Sequence, residues 1–131
     1  MGLKCVFGHK WIQTKTEGLL KCEKCGGFKL SADGNREFDK NDNYEITNLM
    51  QGLLPMYRRL ERDGTSEGPG EFNAITSACN AIVRLYGTEG LVKAIKWMKV
   101  MNPFGARRMA KSWEFILTGT SEESHLFDKW L

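Results

Sequence analysis

The chain has 131 residues, of which 41% are apolar, 27% charged and 11% aromatic, and its formal charge is +3. That length suits one ordinary domain, or a small module followed by a helical one, and no stretch approaches the roughly 18 apolar residues of a membrane span. No apolar h-region opens the chain, so no secretory signal is expected and the protein is read as cytoplasmic, a reducing setting in which four cysteines favour metal over disulfides.

Residues 1–30 hold the sharpest pattern. Cys5 and His9 form a Cys-x3-His pair, twelve residues intervene, and Cys22 and Cys25 form a Cys-x2-Cys pair. Three thiolates and one imidazole make a closed tetrahedral set suited to structural Zn2+, and a site with no open position cannot activate water. Short strands are expected over Lys10–Thr14 and Leu19–Lys21, joined through a turn at Gly18. Gly26 and Gly27 suit the tight knuckle in which backbone amides approach the sulfurs. A module this small has too little core to fold alone, and zinc binding supplies about 10–16 kcal/mol coupled to folding. Six lysines against two acids give these residues +4, and Lys4, Lys10, Lys15, Lys21, Lys24 and Lys29 can meet phosphates. Trp11 either stacks on a base or packs on the ribbon.

Residues 31–44 are polar and read as a linker, with residues 45–131 as an all-α domain of four to five helices. Ile46, Leu49, Met50, Leu53, Tyr57 and Leu60 recur at helical spacing, with Pro55 expected to kink or divide that helix near Leu54. Residues 63–70 form a Gly-rich loop. A second apolar stripe runs through Phe72, Ile75, Cys79, Ile82, Val83 and Tyr86, and Gly87 and Thr88 mark the change to a third helix carrying Leu91, Ile95 and Met98. Asn102-Pro103 stops it. A fourth helix is expected over about Ala106 to Leu117, and a short last one carries Leu126, Phe127 and Trp130.

A basic cluster lies within the helical part. Arg84, Lys93, Lys96, Lys99, Arg107, Arg108 and Lys111 stand against one acid, Glu89, over residues 84–111. Trp97 falls on the Lys93 side of its helix, so Lys93, Lys96, Trp97, Lys99, Arg107, Arg108 and Lys111 form a candidate surface for nucleic acid or an acidic protein. A solvated helix face carrying a half-buried Trp is the alternative. Cys79, on an apolar stripe, reads as a small hydrophobe rather than a nucleophile, and His125 is given no role. There are no paired carboxylates at catalytic spacing and no Lys-Ser/Thr after Gly64, Gly68 or Gly70 to make a phosphate loop, so an enzyme is not expected.

The run LKCVFGHKW…KCEKCGG resembles a small zinc ribbon common in proteins of Gram-positive bacteria and their phages. Its ligands correspond to Cys5, His9, Cys22 and Cys25. The C-terminal half resembles the DnaD-like helical tails of phage replication proteins, on Tyr86-Gly87, Ala94-Ile95, Trp113 with Phe115-Ile116, and Phe127 with Trp130. Trp113 and Phe115 stand one residue closer than in that pattern. The resemblances imply a phage- or prophage-type accessory protein that binds nucleic acid or a nucleic-acid-processing machine. The rival expectation is an interaction module that inhibits or adapts a host polymerase, helicase or defence nuclease.

Overall fold

The computed structural model describes residues 8–121 and 125–131. Strands β1 (Trp11–Gln13), β2 (Leu19–Cys22) and β3 (Phe28–Leu30) form an antiparallel sheet in the order β1-β2-β3. Trp11 pairs with Cys22 and Gln13 with Leu20, while Leu19 pairs with Leu30 and Lys21 with Phe28. The third strand follows directly from the Gly26-Gly27 knuckle and extends the hairpin expected from the sequence.

Three α-helices follow: α1 (Lys40–Asp63), α2 (Pro69–Met101) and α3 (Pro103–Thr118). This corrects the expected count of four to five. The two helices expected on either side of Gly87 run on as one element, bent where Gly87 takes φ 69° and ψ −166°. That conformation is open to glycine because it has no Cβ, so the chain changes direction without a loop. The expected last helix is a single 3-10 turn over Asp128–Trp130, preceded by His125 at φ 54°. There Leu126 and Phe127, adjacent in sequence, are both buried, and their burial sets the local path rather than helical periodicity.

Helix α1 starts within the segment read as a linker, because the Asp39 carboxylate caps it by accepting from the Asp42 amide at 2.8 Å. It also continues through Pro55 instead of dividing. Pro55 and Gln51, whose carbonyl loses its partner, are both exposed, so water can satisfy that carbonyl. Meanwhile Met50, Leu53, Leu54 and Tyr57 hold the inner face of the helix in the core. Asn102 ends α2 and begins α3, its side chain accepting from the Gly105 amide at 3.1 Å.

The core joins the three helices, the C-terminal Leu126 and Phe127, and Leu19 of the sheet. Trp113 is fully buried, donates to the Ile75 carbonyl at 3.4 Å and meets Phe127 edge-on. Residues 31–38 lie against α2. The Glu89 carboxylate accepts from the Asp33 and Gly34 amides at 3.3 and 3.1 Å, Arg36 donates to the Tyr86 carbonyl at 3.2 Å, and Phe38 meets Tyr86 edge-on.

Candidate metal centre and basic surface

Backbone pairing assembles the metal centre. The Trp11–Cys22 register, with the Glu23 amide donating to the Lys10 carbonyl at 2.9 Å, sets His9 alongside the knuckle. The knuckle closes as the Cys22 amide donates to the Gly27 carbonyl at 2.8 Å and the Gly26 amide to the Cys22 carbonyl at 2.9 Å. His9 Nδ1 then lies 3.3 Å from Cys22 Sγ and 3.6 Å from Cys25 Sγ, and one donor atom from each of the three falls within 4.8 Å of the others. In a tetrahedral site with Zn–S near 2.3 Å and Zn–N near 2.0–2.1 Å, the S···N edge is about 3.5 Å. The spacing therefore fits, and His9, Cys22 and Cys25 can hold a metal ion. Cys5, the fourth expected ligand, lies outside the described residues.

Cys22 is buried, Cys25 half-buried and His9 exposed. The His9 ring lies against Trp11 with centroids 4.7 Å apart, and the Lys29 ammonium sits 4.7 Å from the Trp11 centroid. Trp11 is thus half-buried between His9 and Lys29 within the sheet.

The basic residues fall into two groups. Beside the 34–38 segment, Lys93 Nζ stands 5.7 Å from the Phe38 centroid and Lys96 donates to the Gly34 carbonyl at 3.3 Å. Trp97 is half-buried against the core, and Lys99 is exposed. On α3, Arg107, Arg108 and Lys111 line a cavity of about 620 Å3 together with Phe104. Arg107 and Lys111 are exposed; Arg108 is half-buried, 3.4 Å from the Glu67 carboxylate and 5.1 Å from the Phe104 centroid.

The same cavity contains three residues that the sequence did not single out: Glu114, His125 and Asp128. Glu114 was detectable only as the residue one turn beyond Lys111 on α3. The two tail residues are brought there by the burial of Leu126 and Phe127, a tertiary event with no local signal. The His125 imidazole and Asp128 carboxylate are 2.5 Å apart. Glu114 accepts from the Phe127 amide at 3.4 Å, and burial raises its carboxyl above the usual range, partly offset by the hydrogen bonds it accepts from the Phe127 and Leu126 amides.

Cys79 is fully buried and burial pushes its thiol up to about 12, in keeping with a small core hydrophobe. Among the described residues, no helix is long and apolar enough to cross a membrane. Comparison with known proteins found no matching family model, no matching curated protein and no matching solved structure.

Proposed function

We propose that this chain is a non-enzymatic, cytoplasmic accessory protein of the phage or prophage type that binds nucleic acid, or a nucleic-acid-processing machine, in replication. The sheet is a ribbon held by structural Zn2+ on Cys5, His9, Cys22 and Cys25, and the helices present the binding surface. One observation carries the reading. Seven cations occur between residues 84 and 111 against the single acid Glu89, and that carboxylate is occupied by the Asp33 and Gly34 amides. Among the described residues, Lys93, Lys96, Lys99, Arg107 and Lys111 make no ion pair. Phosphate contacts dominate such binding and weaken steeply with salt.

The test is a salt titration with single-stranded DNA, duplex DNA and RNA. Binding at low salt is expected, with the Lys99→Gln/Lys111→Gln variant lowering the slope of log K against log salt by about one for each phosphate it no longer neutralises. Failure of all three nucleic acids to bind at low salt would sink the proposal. A protein partner is the second reading, favoured by the exposed Val100 and Met101, 82% and 45% accessible, next to Lys99. Capture of a host polymerase, helicase or defence nuclease that survives nuclease treatment would favour it.

A further inference from the structure

The cavity at α3 carries a charge gradient. Arg107, Arg108 and Lys111 occupy the earlier turns of the helix, and Glu114 lies seven residues after Arg107, about 10 Å along the axis. Glu114 binds the Phe127 amide, so His125 and Asp128 of the tail belong to the acidic end. Asp128 is occupied by His125, and Arg108 shares part of its fork with Glu67. Arg107 and Lys111, one turn apart on one face, make no ion pair among the described residues.

A ligand that fills this cavity best has an anionic end for Arg107 and Lys111, which make no ion pair among the described residues, and hydrogen-bond donors for the acceptor capacity left on the carboxylates. A phosphomonoester brings a charge of about −1.5 to −2 and three strong acceptor oxygens that suit a guanidinium fork. Sugar hydroxyls and a base amine supply donors some way from that phosphate, and Phe104, Ala110 and Leu131 give apolar wall for a ring. The volume of about 620 Å3 is within the ordinary range for small-molecule sites. A bare dianion would satisfy the cations and make no contact with the carboxylate end, whose oxygens keep acceptor capacity beyond the Phe127 amide and His125.

We infer that this cavity binds a nucleotide through its terminal phosphomonoester, with Arg107 and Lys111 on the phosphate and Glu114 on the donor groups of the sugar or base. The inference rests on the nucleic-acid reading for one source of the ligand, the phosphorylated end of a strand; a free mononucleotide is the other source.

The experiment measures binding of a single-stranded oligonucleotide bearing a 5′-phosphate, the same strand with a 5′-hydroxyl, a 3′-phosphorylated strand, AMP and inorganic phosphate. One phosphorylated end is expected to bind about tenfold or more tightly than the hydroxyl strand, with AMP competing and inorganic phosphate competing far less. The Arg107→Gln/Lys111→Gln variant should lose that preference. Lys40→Gln, at the exposed start of α1 and outside the cavity, should keep it, and both variants should retain the parent circular dichroism spectrum. If AMP binds and no strand does, the cavity inference stands and the nucleic-acid reading fails. If strands bind with no preference for either phosphorylated end and AMP does not compete, the inference is overturned and the reading stands. Retention of the preference by the double variant also overturns it, and absence of all binding overturns both.

Discussion

Glu114 illustrates how one side chain couples the tail to the helices. Burial disfavours its ionised form, and the carboxyl pKa rises above its ordinary 4.5. An acid whose folded pKa is raised adds stability that is complete below the unfolded pKa and is lost as pH rises through the folded one. The Glu114→Gln variant keeps an acceptor for the Phe127 amide and removes the charge. It should melt higher than the parent at pH 7, with the advantage vanishing well below pH 4.5. Thermal melts at the two pH values check this, and an unchanged difference would show that ionisation is not the cause. His125 and Asp128 share the cavity, and neither carried a sequence signal of its own because their meeting with Glu114 depends on where Leu126 and Phe127 are buried.

Strands of three or four residues cannot stand alone; Leu19 and Cys22 are both buried, and Leu19 joins the helical core. The order of the sheet is expected to depend on the ion that His9, Cys22 and Cys25 can hold. Stripping the metal with a strong chelator, or Cys22→Ser, should dissolve the sheet and leave most of the far-UV helical signal. The melting temperature should also fall, since Leu19 then leaves the core. Complete loss of helical signal would mean that the helices cannot fold without the sheet. The helices themselves were largely legible. Their apolar stripes, the Asn102 boundary and the change at Gly87 follow from period and from residue chemistry. What periodicity misjudged was separation: α1 does not divide at Pro55 because the orphaned carbonyl faces water, and at Gly87 the helical axis does break, but the two stretches meet directly across that one non-helical residue.

Sheet and helices meet along a seam at that bend. Gly18, at φ 85°, lies so close to Thr88 that an added Cβ would be 2.2 Å from its hydroxyl oxygen. Glu89 fastens residues 33 and 34 through two backbone amides, and Lys96 donates to the Gly34 carbonyl. Replacing Glu89 with Ala leaves both amides without the carboxylate, at a cost of about 1–2 kcal/mol. A lower denaturation midpoint together with faster proteolysis within residues 31–39 is the expected result. An unchanged midpoint would show that this segment contributes nothing to folding.

Ligand chemistry, helical periodicity and the basic cluster were all readable from residue order, because each depends on short spacings along the chain. Cys22 and Cys25 lie three apart, the apolar stripes repeat every three or four residues, and Lys93 to Lys111 fall within two successive helical stretches. The third strand, the docking of residues 31–38 on α2 and the cavity that gathers Arg107, Lys111, Glu114, His125 and Asp128 were not readable in this way. Strand β3 pairs with residues only seven to eleven positions away, but neither it nor the longer-range contacts follow from helical or ligand spacing; they are fixed as burial of Leu19, Leu126 and Phe127 brings the elements together.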